Sequence, residues 1–242
     1  MIVIPAIDLK DGRCVRLTQG RKSEVRTYDA DPVEMAKSFA SAGARMLHVV
    51  DLDGAFAGGK SPNRVVLRKI VEAVNVPVEF GGGLRTIADV QQVSALGIGR
   101  IIVGTLAAES AEALKELIEL FGVRICVGLD ARDGIVMTKG WEAATRLAAV
   151  DLARSLAALG IKRIIYTDIA RDGMLNGPNI EQTVGIARAA GIKVTASGGI
   201  SCLEDIRQLR NANEPLVDSV IIGKALYEGR FSLEEALAAA AS

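Results

Sequence analysis

The sequence predicts an α/β fold, a (β/α)8 TIM barrel with an internal two-fold, half-barrel repeat. Three observations predict it: eight short β-branched runs, helical stretches between them, and the same residues recurring half a chain apart. The runs are VIPAI (3–7), RMLHVV (45–50), VPVEF (76–80), RIIVG (100–104), RICVGL (124–129), RIIYT (163–167), KVTAS (193–197) and SVIIG (219–223). Between them, stretches such as 31–43, 61–74 and 111–122 carry apolar residues at helical spacing. Helix starts are marked by Asp31 before Pro32, by Ser61 before Pro62, and by Asn176-Gly177-Pro178 ahead of a helix beginning near Asn179. No linker or low-complexity stretch divides the chain, so one domain over 1–242 is expected.

The repeat is carried by four anchors in one order. Asp8 pairs with Asp130 (130 − 8 = 122) and Asp51 with Asp168 (168 − 51 = 117). Gly82-Gly83 pairs with Gly198-Gly199 (198 − 82 = 116), and Gly104 with Gly223 (223 − 104 = 119). Two halves of four strands follow, with equivalent loops facing each other across the barrel axis.

That symmetry gives the glycine turns a meaning. Glycines after strands let backbone approach a ligand, and the amides at the next helix start direct their positive dipole end toward it. Gly82, Gly83, Gly104 and Thr105 then form one phosphate cradle; Ser197, Gly198, Gly199, Gly223 and Lys224 form the other. A single glycine run is equally well a tight turn. Two copies in step point to a ligand with a phosphate at each end.

Chemistry is expected between the cradles. Asp8 and Asp130 end strands one and five, so the repeat sets two carboxylates opposite each other at the catalytic face of the barrel, where one can act as acid and one as base. Pairing with Arg13, Arg16 or Arg132 is the alternative use of each. Thr167 ends strand six beside Asp168, as carboxylate orienter or as a backbone-bonded strand end. His48, the single histidine, is a core residue or a substrate contact. Trp141, the single tryptophan, lies on the loop after strand five, for packing on the rim or stacking on a flat ring. Arg16 and Arg85, on loops after strands one and three, reach a phosphate or stay solvated.

Composition excludes other classes. With 29 Lys and Arg against 29 Asp and Glu there is no basic field for nucleic acid or an anionic membrane. The apolar start before Asp8 is too short for a signal peptide, and no run approaches a transmembrane span. Cys14, Cys126 and Cys202 show no CxxC spacing, so neither a disulfide framework nor a zinc site is indicated. "DLDG" and "ARDG" lack histidine partners and EF-hand spacing, so no metal is expected. A reduced, cytoplasmic protein is expected.

"PAIDLKDGRCVRLTQG", "HVVDLDGA", "GGGLRT", "VGLDARDG" with "KGW", "YTDIARDGMLNGPN" and "SGGIS" with "IIGKALYEG" together resemble the ProFAR isomerase family of histidine biosynthesis, along the whole chain. The resemblance implies a cofactor-free Amadori rearrangement of a bis-phosphorylated aminoaldose, ProFAR, to its aminoketose. It implies Asp8 as the base that takes the C2 proton, Asp130 as the acid that opens the ribose ring, and Thr167 as their assistant. Arg16, His48, Arg85, Trp141 and Asp172 become substrate contacts, Gly177 joins the phosphate set, and a monomer is expected. The sister cyclase subunit of imidazole glycerol phosphate synthase shares the repeat, cradles and aspartates, but carries a longer loop after strand five and Ser in place of Asp168. A dual-substrate relative that also isomerises phosphoribosyl anthranilate has Arg where this chain has Lys139. A phosphate-binding barrel without chemistry is the non-enzyme alternative; the presence of both aspartates and Thr167 argues against it.

Overall fold

The computed structural model describes residues 1–17, 19, 25–57 and 61–241, leaving Thr18 and Gly20 of the first motif outside. Eight parallel strands close on themselves: β1 (Ile2–Lys10), β2 (Leu47–Asp51), β3 (Val78–Gly81), β4 (Arg100–Val103), β5 (Ile125–Arg132), β6 (Arg163–Asp168), β7 (Lys193–Ser197) and β8 (Val217–Ile222). Each pairs with its successor, and β8 pairs with β1 through Ile2–Ser219 to Pro5–Ile222. Helices follow every strand.

Alternation along the strands divides the core in two. Val3, Ile7 and Leu9 of β1 face outward and join the large cluster between sheet and helices. Ile4 and Ala6 face inward and meet Ile102, Cys126, Ile165 and Ile221 in the barrel interior, with Met46 against them. One pleat higher, the same inward parity brings Asp8, His48, Asp130 and Thr167 to the open end. The barrel's filling thus grades from aliphatic to chemical toward the strand C-termini.

Two strands run longer than the sequence runs indicated. β1 and β5 extend to Lys10 and Arg132 because each folds back as a hairpin, β1 onto Arg13–Leu17 and β5 onto Ile135–Thr138. The turns are Asp11-Gly12 (φ 50° and 74°) and Asp133-Gly134 (φ 51° and 76°), the Asp-Gly chemistry of a type I′ turn, repeated 122 residues apart (133 − 11 = 122). Arg16 therefore sits on a strand, and the expectation of a loop position for it is corrected.

Helix starts divide similarly. The Asp31 carboxylate accepts from the Val33 and Glu34 amides ahead of Pro32–Ser41, and Asn179 caps Ile180–Ala190 through the Gln182 amide. Ser61 serves the start of Asn63–Ala73: its Oγ accepts the Asn63 amide at 3.1 Å, while Pro62 holds the cap position without a side-chain bond. Fully buried Asp51 also accepts from the Ser61 hydroxyl and from Asn63, whose Nδ2 donates to Asp51 Oδ1 at 2.7 Å. Asn179 Nδ2 donates to Asp168 Oδ2 at 2.7 Å in the second half. Asp51 and Asp168 are thus repeated latches between a strand end and its following helix.

The paired glycines have a packing reason of their own. A Cβ on Gly82 would collide with the Asp51 carbonyl, and one on Gly199 with the Gly177 carbonyl; their φ values are 104° and 89°. Gly199→Ala should therefore destabilise the fold by at least ~2 kcal/mol, read as a shifted urea midpoint. Gly185→Ala, on an exposed helix position with open space around it, should stabilise by up to ~1 kcal/mol. An unchanged midpoint for Gly199→Ala would show that the two loops can move apart.

Candidate active site

A cleft of about 260 Å³ opens at the C-terminal ends of the strands. Every candidate catalytic, substrate-contacting or phosphate-cradle residue read from the sequence lines it except Gly177. Gly177 lies behind the wall, its N–H donated to the Gly199 carbonyl at 3.0 Å, where it supports the second glycine turn from outside.

The two cradles match closely. Gly104 (φ −116°, ψ −86°) and Gly223 (φ −115°, ψ −93°) share one unusual conformation, and each starts a short helix, Thr105–Glu109 or Lys224–Tyr227, that has no side-chain cap. Uncapped amides at a helix start suit an anion. Thr86–Asp89 and Cys202–Asp205 form equivalent capping boxes behind Gly82-Gly83 and Gly198-Gly199. Thr105 Oγ1 accepts the Lys139 amide at 3.1 Å, and Lys224 Nζ donates to the Gly173 carbonyl at 2.7 Å.

Asp8 and Arg16 are paired and in the cleft together: Arg16 donates to Asp8 Oδ2 at 2.7 Å and to the Ala6 carbonyl. Its guanidinium lies 5.0 Å from the Tyr227 ring centre and so close over Gly223 that a Cβ there would strike it. An anion in the second cradle meets that cation. Arg16 Nε is buried without a partner among the described residues.

Opposite, Asp130 Oδ2 accepts the Trp141 indole N–H at 2.7 Å, and Thr167, in register on β6, lies beside it. Burial pushes the Asp130 carboxyl above the usual range, while the Trp141 bond and the neighbouring Thr167 hydroxyl pull it back. Trp141 is held by three successive left-handed residues, Lys139, Gly140 and Trp141 (φ 56°, 66° and 71°), with Gly140 packed on the Phe56 ring. That conformation stores strain at the rim of the cleft. Asp172 is raised as well: burial first, then the Asp8 charge, push it up to about 7, against Arg16 and Lys224. His48 Nδ1 lies 2.7 Å from Glu79 Oε1, and exposed Arg85 donates to the Ala55 carbonyl at 3.3 Å.

Among the described residues, no three His, Cys, Asp or Glu side chains converge to hold a metal, and no helix is long and apolar enough to cross a membrane.

A family profile described as "Histidine biosynthesis protein" matches residues 2–232. The chain belongs to that family. A curated relative from Syntrophotalea carbinolica is 50% identical over 238 residues, covering 98% of each chain. Another from Moorella thermoacetica is 48% identical over 241 residues, covering 100% of this chain and 99% of its own. A third, from Desulfitobacterium hafniense strain Y51, is 46% identical over 239 residues, with 98% and 96% covered. All three are named 1-(5-phosphoribosyl)-5-((5-phosphoribosylamino)methylideneamino) imidazole-4-carboxamide isomerase.

Within this histidine biosynthesis family member, sequence reading missed parts of the cleft wall. Phe56, Leu175 and Ile200 line it as apolar floor and rim, and Leu175 does so at a positive φ of 53°. Nothing in the local pattern separates them from core residues. Glu79, below His48, had a signal that went unread: a carboxylate inside an otherwise apolar strand run, "VPVEF".

Proposed function

We propose that this chain is the isomerase that converts the aminoaldose ProFAR into the aminoketose PRFAR by a cofactor-free Amadori rearrangement in histidine biosynthesis. The carrying observation is the pair of symmetric cradles at the two ends of one cleft, with Asp8 and Asp130 between them. A substrate phosphorylated at both ends spans such a cleft, and its binding energy at the ends fixes the sugar at the middle.

The chemistry follows from what the carboxyls can exchange. An acid gives its proton to the ribose ring oxygen as the C1–O bond breaks; the nitrogen lone pair on C1 completes a protonated C=N. Asp8 then takes the C2 proton, and the C–H electron pair forms the enolamine, which tautomerises to the ketose. The family resemblance gives the acid role to Asp130, with Thr167 orienting it. One observation favours a second reading: Asp172 lines the same cleft and, pushed up to about 7 by burial and by the Asp8 charge, holds a proton near neutrality, so it too can be the acid. Under that reading Asp130, held by the Trp141 indole N–H, steadies the cationic C=N.

Lys139, whose ammonium lies 3.7 Å from Glu109, supports a single substrate. Purified protein should turn over ProFAR in a coupled assay and leave phosphoribosyl anthranilate unconverted. Ammonia-dependent cyclisation of PRFAR instead would overturn the proposal.

A further inference from the structure

Beneath the cleft, three neighbouring strands place His48, Glu79 and Arg100 on one rung: His48 pairs in register with Glu79 on β3, and Glu79 with Arg100 on β4. In a parallel sheet such partners point the same way, here into the barrel. Glu79 is completely buried and does not line the cleft; His48 does. The Glu79 carboxylate spans its neighbours, one oxygen 2.7 Å from His48 Nδ1 and the other 2.5 Å from Arg100. The remaining groups that feel this carboxylate from the barrel interior are Arg163 on β6 and the Cys126 thiol on β5.

A buried carboxylate needs compensation, and Arg100 supplies the charge while His48 supplies a donor. The asymmetry decides the histidine's chemistry. An acceptor-only group fixed at Nδ1 demands that Nδ1 keep its proton, so the neutral ring presents the bare Nε2 lone pair to the cleft. Imidazole in water favours the other tautomer, so this state is imposed by the fold.

We infer that Glu79, backed by Arg100, is a positioning residue that locks His48 as a hydrogen-bond acceptor for a substrate O–H or N–H in the cleft. The role assigned to the Nε2 face rests on the cleft being the isomerase substrate site; the tautomer itself does not. Glu79 touches no substrate, and it acts only through the ring it orients.

The single histidine makes the test direct, because ring nitrogen resonances belong to His48 alone. In the wild-type protein, long-range 15N–1H correlation with the ring titrated to neutrality should show a protonated Nδ1 and an unprotonated Nε2. Glu79→Gln should reverse this. The amide has one carbonyl oxygen, which Arg100 claims, leaving its NH2 to donate to Nδ1 and the ring proton to move to Nε2. With a donor where an acceptor stood, KM for ProFAR should rise about tenfold, the cost of one mispaired polar contact, while kcat changes less than about threefold. A wild-type ring protonated on Nε2 overturns the inference without any variant being made. So does a Glu79→Gln protein that keeps Nδ1 protonated, or one whose tautomer flips with KM unmoved. Inactivity of the wild-type protein toward ProFAR would instead sink the proposed function and leave the tautomer result standing.

Discussion

Asp8→Asn should lower kcat for ProFAR by at least the ~10²-fold that removal of a general base costs, with KM changed far less. The substitution is aimed at the proton transfer. Asparagine keeps the side-chain volume and one oxygen on which Arg16, now 2.7 Å from Asp8 Oδ2, can still donate. Arg16 therefore has reason to stay over Gly223, and neither cradle loses a donor. What is removed is the capacity to take a proton from C2, together with the charge that helps keep Asp172 protonated. Steady-state kinetics with a thermal melt alongside would check this; turnover near the wild-type rate in a folded Asp8→Asn protein would remove Asp8 from the base role.

The sequence was most readable where one residue type has one geometric consequence. The β-branched runs marked every barrel strand, and the repeated Asp and Gly-Gly anchors placed Asp8 opposite Asp130 before any coordinates, because strand parity carries a residue to the barrel mouth regardless of its neighbours. Reading failed where the partner decides. Ser61 reads correctly as a helix start, where it accepts the Asn63 amide, yet nothing local marks the bond its hydroxyl also donates to buried Asp51. Gly177 belongs to a motif, yet its amide is spent on Gly199 outside the cleft. Trp141 was legible as a misplaced aromatic, while its bond to Asp130 depends on three left-handed residues that no propensity marks out. The hairpins after β1 and β5 were legible in principle: Asp-Gly between apolar alternations is a turn signal, and it occurs twice, 122 residues apart (133 − 11 = 122).

The same dependence on partners governs the acid, since the charge state of a carboxyl belongs to its surroundings. Asp172 is pushed up to about 7 by burial and by Asp8, so below that pH it carries the proton a ring-opening acid must deliver, and above it the proton is lost. The profile of kcat/KM, which reports the free enzyme, should accordingly carry a basic limb that falls about tenfold per unit above about pH 7. Asp172→Asn should abolish that basic limb and lower kcat by ~10²-fold or more, because an amide holds no proton to give. Asp130→Asn should slow the reaction and keep the limb, moved to lower pH because the Asp130 charge that helps raise Asp172 is gone. Deuterium at C2 of the substrate supplies an independent reading: where ring opening limits, the isotope effect shrinks, so it should fall in the variant that has lost the acid and persist in Asp8→Asn, where C2–H cleavage limits. A basic limb that survives in Asp172→Asn and disappears in Asp130→Asn, with the isotope effect collapsing in the latter, would return the acid role to Asp130 and leave Asp172 as a substrate contact.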